Sequence, residues 1–230
     1  MSDRSVWLHE IIDIVGHRAR DYMAHTLRQS GDEKVNFQLQ GTWYTMGITG
    51  RWPQVVNIWD VPDGWDGWQE AVERLNLERP ANKDLESWWL EALKMRSGGY
   101  DRLLGGVAGC PTTAELVERG VRGTLFVHEV TEVKPGAALE YLASVRDERV
   151  PVLAEHGHTL TGLYEVLLCD HEVVVTWATD PASHVALQRA REGEDERLRL
   201  WEFASREYTV RRREELMTPQ PGIPIGPERE

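Results

Sequence analysis

An internal repeat is the feature that most constrains the fold of this 230-residue chain. The segment Val6–Ile14 aligns with Leu125–Val133 at a shift of 119 residues, so that His9 matches His128 and Glu10 matches Glu129. Further matches follow in the same order along both copies: Asp21-Tyr22-Met23 with Glu140-Tyr141-Leu142, Gly41-Thr42-Trp43 with Gly162-Leu163-Tyr164, and Val55-Val56-Asn57-Ile58-Trp59 with Val173-Val174-Val175-Thr176-Trp177. One such match would be weak, but four in one order indicate two structurally equivalent halves.

Each copy has the residue pattern of strand, helix, strand, strand, helix, strand. The first strands, Val6–Ile14 and Leu125–Val133, are rich in β-branched and aromatic residues, and Ala138, Tyr141 and Leu142 then recur at helical spacing. A βαββαβ unit forms a four-stranded antiparallel sheet with helices on one face, so the other face needs cover. We therefore predict an α+β fold in which two ferredoxin-like βαββαβ repeats form a pseudo-dimeric α+β barrel within one chain.

The other elements follow from the same patterns. The remaining strands are predicted at residues 37–46, 55–59, 100–104, 160–168, 172–178 and 212–217. A helical region is predicted over residues 65–95, and another begins at Asp180-Pro181 and breaks near Gly193. The predicted organisation is a first half at 1–108, a connection at 109–122, a second half at 123–218 and an extended tail at 219–230.

Composition excludes several classes of partner and cofactor. The formal net charge of −12 argues against nucleic acid, because binding phosphate requires clustered Lys and Arg. No apolar run approaches the roughly 20 residues that a membrane-spanning helix needs. The two cysteines, Cys110 and Cys169, lack the spacing of a zinc site, and no glycine-rich phosphate loop is visible. We expect a cytoplasmic protein, monomer or homodimer, with no membrane span, no cofactor and no metal ion.

The second half resembles the NIPSNAP family of dimeric α+β barrel proteins. The matching features are the strand end at Pro135-Gly136, the helix residues Glu140-Tyr141-Leu142, the helix end at residues 150–157, and the last two strands at 172–177 and 213–219. The first half matches only through the repeat. The resemblance implies the fold and not an activity, because the wider superfamily includes cofactor-free monooxygenases, lyases, isomerases, cyclases and haem proteins.

His9 and His128 occupy equivalent positions of the two first strands. Because side chains alternate across a strand, His9 shares a face with Trp7 and Ile11, and His128 shares one with Phe126. If these strands lie near the pseudo-twofold axis, both imidazoles line a shared interior, where a histidine can carry protons at neutral pH. Two alternatives remain: the imidazoles could be hydrogen-bonded parts of the sheet, or they could join a carboxylate as metal ligands.

The tryptophans are concentrated in the first half, where eight of the ten precede residue 90. Asn57 stands where the second copy has Val175, so its amide needs either a neighbouring side chain or a ligand oxygen as partner. We therefore predict that the first half holds a pocket for a hydrophobic small molecule with a carbonyl or carboxylate, and that the second half is mainly scaffold. The residues predicted to bind substrate are Trp7, Trp43, Arg51, Trp52, Trp59 and His128.

Two functional classes fit these residues. In the enzyme hypothesis His9 is the general acid or base, Tyr44 and Asn57 hold a developing oxyanion, and Arg51, otherwise a solvated loop residue, holds a carboxylate. The reaction is a cofactor-independent proton transfer on a hydrophobic oxygenated substrate of catabolic or secondary metabolism, by an isomerase, lyase or cyclase, or a monooxygenase reaction. In the alternative hypothesis the chain binds or sequesters such a molecule without turnover, or serves as an interaction scaffold.

Overall fold

The computed structural model of the protein describes residues 4–30, 37–74 and 83–228. The first half comprises β1 (Val6–Ile14), α1 (Ala19–Gln29), β2 (Gln38–Thr45), β3 (Gln54–Val61), α2 (Gly64–Val72), α3 (Lys83–Ala92) and β4 (Arg96–Gly106). A short helix, α4 (Thr113–Glu118), lies in the connection between the halves. The second half comprises β5 (Leu125–Val133), α5 (Ala138–Ser144), α6 (Val150–Glu155), β6 (Thr159–Val166), β7 (Glu172–Thr179), α7 (Pro181–Arg189), α8 (Glu196–Ala204) and β8 (Thr209–Pro219).

The eight strands form one closed barrel in the order β1-β3-β2-β8-β5-β7-β6-β4. Within it, β4-β1-β3-β2 and β8-β5-β7-β6 are two antiparallel four-stranded sheets of identical topology. The β2–β8 and β4–β6 pairs join them, so each sheet covers the open face of the other. The predicted pseudo-dimeric α+β barrel of two ferredoxin-like repeats is confirmed.

The strand predictions are confirmed, with differences at the ends. The first strands match the predicted bounds, Val6–Ile14 and Leu125–Val133, because each begins and ends where the apolar alternation does. The last strands, Arg96–Gly106 and Thr209–Pro219, run longer than predicted. Their outer residues are polar and exposed, so apolar alternation does not mark them as strand. The predicted helical region at 65–95 contains α2 and α3, and its residues 75–82 lie outside the described residues.

Matching glycines shape the second strand of each half. Gly41 and Gly162 both lie where the pairing register shifts, in the β2–β3 and β6–β7 ladders. A Cβ on either glycine would overlap an aromatic ring two residues further along, Trp43 in the first half and Tyr164 in the second. These residues therefore have to be glycine for the two rings to lie flat against the strand and fill the barrel.

The start of α7 is fixed by its sequence, as predicted. Asp180 precedes Pro181, and its carboxylate accepts hydrogen bonds from the backbone N–H groups of Ala182 and Ser183. The helix loses its regular geometry at Gly193, which confirms the predicted break. A capped start followed by a glycine break is the expected behaviour of these residues.

Large apolar side chains fill one end of the barrel. Trp7, Trp43, Phe126 and Tyr164 are fully buried there, with ring centroids 5.2 Å apart for Trp43 and Phe126 and 5.3 Å apart for Trp7 and Tyr164. The tail closes this end: residues 221–226 form turns that place buried isoleucines against the same cluster. The tail is therefore folded onto the barrel, where the sequence pattern indicated an extended segment.

The helices cover the outer faces of the two sheets. Two separate apolar layers result, one under α1 and α3 of the first half and one under α5 to α8 of the second. Among the described residues, each helix is too short or too polar to reach across a lipid bilayer.

Candidate active site

A cavity of about 380 Å³ occupies the end of the barrel opposite the folded tail. The change from apolar core to cavity follows β1, whose inward residues are Trp7 in the core, then His9, then Ile11 on the cavity wall. Both halves line the cavity, whereas the sequence led us to expect that the first half holds the pocket and that the second half, apart from His128, is mainly scaffold. Its walls are formed by Ile11, Arg51, Gln54, Tyr100, Arg102, His128, Val130, Glu132, Glu172, Arg211, Arg213 and Glu215.

Two histidines meet at the floor of this cavity. The Nε2 atoms of His9 and His128 are 3.0 Å apart, and both side chains are buried. One ring must therefore donate its Nε2–H to the bare Nε2 of the other, since a hydrogen bond needs one donor and one acceptor. The two imidazoles therefore lie in a shared interior, as the repeat predicted.

His128 connects this pair to the cavity. Its Nδ1 has no hydrogen-bond partner and lies 3.8 Å from an Oε2 carboxylate oxygen of Glu215. Burial raises the pKa of Glu215, but His128 and the neighbouring Arg213, 2.6 Å away, outweigh burial and lower it. Glu215 is thus ionised at neutral pH, and its carboxylate faces the His128 imidazole.

His9 is held in the neutral form. Burial lowers its pKa well below 6.5, and the nearby charges of His128 and Arg102 lower it further. Its Nδ1 is also buried without a partner. A neutral imidazole can both accept and donate one hydrogen bond, so His9 can serve either tautomer of His128.

Arg102 is a cross-strand neighbour of His9 in the sheet. The two lie opposite each other in the β1–β4 pair, and cross-strand partners point to the same face. The Arg102 side chain is only 8% exposed, and its Nε and Nη2 donate to Glu172 at 2.8 and 2.9 Å. Burial lowers the pKa of Arg102, but hydrogen bonds to Glu172 and Tyr100 raise it above its ordinary value.

The other arginines of the cavity lie at its mouth and are paired with acids. The Arg51 Nη2 atom lies 2.9 Å from Asp13 Oδ2, and the Arg51 side chain is 68% exposed, so Arg51 is a solvent-exposed residue of the rim. Arg211 lies 3.0 Å from Glu132 and is more exposed still. The mouth is therefore charged but balanced, and the buried guanidinium of the floor is that of Arg102.

Asn57 and Trp59 lie on the other side of the sheet from His9, which corrects the predicted catalytic group. In the β1–β3 register Asn57 is opposite Glu10, whereas His9 is opposite Ile58. Asn57 Nδ2 and Trp59 Nε1 both donate to the Glu10 carboxylate, at 3.0 and 2.7 Å. Burial raises the pKa of Glu10 against these two hydrogen bonds, so the Asn57 amide serves a partly buried acid on the face of the sheet away from His9.

The remaining predicted residues are also away from the cavity. Tyr44 is bonded through its hydroxyl to Nε1 of Trp52, on the outer side of β2 and the loop after it. Trp7 and Trp43 are fully buried in the apolar core. Among the described residues that line the cavity there is no tryptophan, so the predicted tryptophan pocket is replaced by a charged one.

Sequence analysis missed Arg102, Glu172 and Glu215. The available signal was the alternation of β4, because Tyr100, Arg102 and Leu104 share a face that has to be either inside or outside the barrel. Alternation alone could not choose between the two faces. That choice depends on the register with β1, which pairs His9 with Arg102.

Metal ligands are not grouped in the part of the chain that the structure describes. Within residues 4–30, 37–74 and 83–228, no group of three or more His, Cys, Asp or Glu side chains could hold an ion. The side chains at the cavity floor are arranged for hydrogen bonding and proton exchange: two imidazoles, a carboxylate and a guanidinium.

Comparisons with known proteins find the fold but no family. No family model and no curated protein matches the sequence. A protein of Fusobacterium nucleatum named a "putative monooxygenase" matches over 96% of this chain and 94% of its own, at 10% identity and a TM-score of 0.63. An anthrone oxidase-like protein matches over 95% and 92%, at 12% identity and a TM-score of 0.64.

A single-domain protein matches half of the chain. It is a NIPSNAP domain protein from Burkholderia xenovorans, covered over 99% of its length by 46% of this chain, at 16% identity and a TM-score of 0.38. The resemblance of the second half to NIPSNAP proteins continues to rest on its sequence motifs. Taken with the closed eight-stranded barrel, the full-length matches show that this chain has the dimeric α+β barrel fold, formed by two repeats of one chain.

Proposed function

We propose that this protein is a small-molecule enzyme that acts on an oxygenated substrate by cofactor-independent proton transfer inside the barrel. The observation that carries the proposal is the buried His9–His128 pair, with Nε2 atoms 3.0 Å apart and the second imidazole on the cavity wall. Histidine exchanges protons at neutral pH, and burial at the floor of a cavity restricts the exchange to a bound molecule. The names of the full-length structural neighbours, a monooxygenase and an anthrone oxidase-like protein, are consistent with this class.

His128 is the proposed catalytic base. In the tautomer that donates Nε2–H to His9, its Nδ1 is unprotonated and can accept a proton from the substrate. The imidazolium formed is stabilised by Glu215 at 3.8 Å and keeps its hydrogen bond to His9. Returning the proton from Nδ1 to another substrate atom completes an isomerase, lyase or cyclase reaction. In a monooxygenase reaction the carbanion instead adds O2 to form a hydroperoxide; loss of the second C–H proton with cleavage of the O–O bond leaves one oxygen on the substrate as a ketone and releases the other as water.

His9 has a supporting role in this proposal. It stays neutral because burial lowers its pKa, so it can accept the Nε2–H bond of His128 throughout the cycle. The sequence suggested His9 itself as the acid or base, but His128, and not His9, is on the cavity wall. The charged lining also favours a substrate with several oxygen atoms over a wholly apolar one.

The alternative function is binding without turnover. The arginines of the mouth are already paired with acids, an arrangement that would also serve a closed and merely stable barrel. This hypothesis predicts that an oxygenated molecule binds in the cavity and leaves unchanged. The two hypotheses differ in one measurable respect, proton exchange between a bound carbon acid and water.

The test uses two carbon acids, anthrone and 2-tetralone, in D2O. Under nitrogen, deuterium incorporation at the acidic CH2 group of each compound is followed by NMR, and in air oxygen uptake is followed with the same compounds. We expect wild type to accelerate exchange of at least one compound, and His128→Gln to lower the rate by about 100-fold, the usual contribution of a general base. Oxygen uptake by wild type that is lost in His128→Gln would identify the monooxygenase reaction.

The matched control is His17→Gln, which changes an exposed histidine outside the barrel. It should exchange protons at the wild-type rate. Equal rates in His128→Gln and wild type would remove His128 from the mechanism. Binding of a carbon acid by wild type with neither exchange nor oxygen uptake would favour the binding module.

A further inference from the structure

The Arg102 guanidinium has one nitrogen left over at the cavity floor. Nε and Nη2 are used by Glu172, and Nη2 also reaches the Tyr100 hydroxyl at 3.2 Å. Nη1 is buried and has no hydrogen-bond partner. Leaving a buried donor of a charged group unpaired is unfavourable, so an acceptor oxygen placed there would be stabilised.

The guanidinium is fixed in place before any ligand binds. The two hydrogen bonds to Glu172 hold it from one side, and its Cζ lies 4.6 Å from the centre of the Tyr100 ring. The side chain is 8% exposed. A donor that needs no reorganisation when charge develops on its partner is the arrangement by which enzymes stabilise oxyanions.

The two halves differ at this level of the barrel. Arg102 is opposite His9 in the β1–β4 pair, and Glu215 is opposite His128 in the β5–β8 pair. Equivalent positions of the two repeats therefore carry a cation beside one imidazole and an anion beside the other. The cavity lining thus includes an unpartnered donor atom, Arg102 Nη1, from the first half and the unpartnered Nδ1 of His128 from the second.

We propose that Arg102 Nη1 binds the carbonyl oxygen of an enolisable substrate and holds the oxyanion that forms when His128 removes the neighbouring proton. This inference rests on the proposed function and names its substrate class. In the step, the C–H bond beside the carbonyl breaks and its proton forms the N–H bond at His128 Nδ1. The electron pair moves into the enolate, and the negative charge on its oxygen faces Arg102.

Arg102 thereby takes the oxyanion-binding role that the sequence suggested for Tyr44 and Asn57. Arg51 is a rim residue paired with Asp13, and Tyr44 and Asn57 are bonded to Trp52 and Glu10 on the outer side of the sheet.

The experiment measures ligand ionisation and needs no turnover. 4-Nitrophenol is the probe, because its phenolate resembles an enolate and has its own visible absorption. Titration of wild type at several pH values gives separate dissociation constants for phenol and phenolate. We expect the phenolate to bind about tenfold more tightly than the phenol, equivalent to about 1.4 kcal/mol.

The variants isolate Arg102. Arg102→Gln alone leaves Glu172 unpaired, so the double variant Arg102→Gln/Glu172→Gln, which replaces the ion pair by two neutral amides, is measured beside it. The double variant should bind phenol and phenolate equally, and the single variant, with its unpaired carboxylate, should not prefer phenolate. Arg51→Gln, a change at the exposed rim, should keep the tenfold preference. Circular dichroism confirms that each variant is folded.

Three outcomes overturn the inference: wild type binds neither form, it binds both equally, or the double variant keeps the preference. The proposed function is judged separately, by deuterium exchange. If wild type prefers phenolate through Arg102 but does not catalyse deuterium exchange, the cavity is an anion-binding site and the enzyme hypothesis is wrong. If exchange depends on His128 but wild type shows no phenolate preference, the enzyme hypothesis stands and the proposed role of Arg102 is wrong.

Discussion

At the scale of single residues, the barrel floor brings together side chains whose ionisation depends on one another. His9 is neutral because it is buried beside His128 and Arg102, and Glu215 is charged because it lies beside His128 and Arg213. A site made of a neutral imidazole and an ionised carboxylate keeps its hydrogen-bond pattern at neutral pH. It should also make the protein sensitive to acid.

The pH dependence of stability has a definite sign. Below pH 6.5 unfolded His9 binds a proton that the buried side chain does not, so unfolding takes up protons and falling pH favours it. The stability contributed by neutral His9 is therefore present above 6.5 and lost as the pH falls below it. In His9→Gln, the free energy of unfolding should fall less steeply between pH 6.5 and about 5, by roughly 1.4 kcal/mol per pH unit.

Urea unfolding at fixed pH values, followed by circular dichroism, measures this slope. His17→Gln removes an exposed histidine and should leave the wild-type slope unchanged. The groups facing His9 from the neighbouring strands, His128 and Arg102, are retained in both variants. Identical slopes in wild type and His9→Gln would mean that His9 is not held neutral by burial.

The residue scale also shows which parts of the site the sequence could predict. The match of His9 with His128 was visible in the repeat, and a shared interior followed from it. The fate of Asn57 was not visible, because alternation says that it shares a face with Val55 and Trp59 but not which face. Only the β1–β3 register, which pairs Asn57 with Glu10, excludes it from the floor.

At the scale of elements, the strands were predictable and their pairings were not. Val6–Ile14 and Leu125–Val133 are bounded by breaks in apolar alternation, so their ends were correct. Register depends on contacts between residues far apart in sequence, such as His9 with Arg102. Glycines that permit aromatic rings to lie on a strand are one of the few register signals in the sequence itself, and the repeat had matched Gly41 with Gly162.

The two glycines give a test at this scale. We expect Gly41→Ala and Gly162→Ala each to lower the free energy of unfolding by about 1–3 kcal/mol, because the added methyl group overlaps the ring of Trp43 or Tyr164. Gly193→Ala is the control, since a Cβ there meets no atom within 4 Å. Urea unfolding measures all three, and a cost at Gly193 equal to that at Gly41 would contradict the steric explanation.

At the scale of the whole molecule, closure of the barrel explains where a site can be. All eight strands are paired on both sides, so the two sheets complete each other without a second chain. One end is filled by aromatic side chains and the folded tail, and the other holds the charged cavity. The fold was predictable from the repeat, because two βαββαβ units in one chain can cover each other's open sheet faces. The position of the candidate site was not, since Trp7, Trp43 and Trp59 are buried, Trp52 and Trp65 are exposed, and both halves line the cavity.

The tail is the part of this arrangement that a single substitution can test. Ile225 is fully buried in the apolar cluster, and its carbonyl accepts a hydrogen bond from the Gly123 N–H at 2.9 Å. Ile225→Ala keeps that backbone bond and removes three carbon atoms from the closed end of the barrel. We expect the free energy of unfolding to fall by about 2–4 kcal/mol, the usual cost of truncating a buried isoleucine.

The matched control is Ile48→Ala, the same truncation at an isoleucine that is 88% exposed, which should change stability by less than about 0.5 kcal/mol. Urea unfolding compares the two variants under one condition. Because the tail and the cavity lie at opposite ends of the barrel, 4-nitrophenol should bind folded Ile225→Ala as it binds wild type. Equal costs for Ile225 and Ile48 would mean that the tail does not close the barrel in solution, and the apolar end would then be a second opening to the interior.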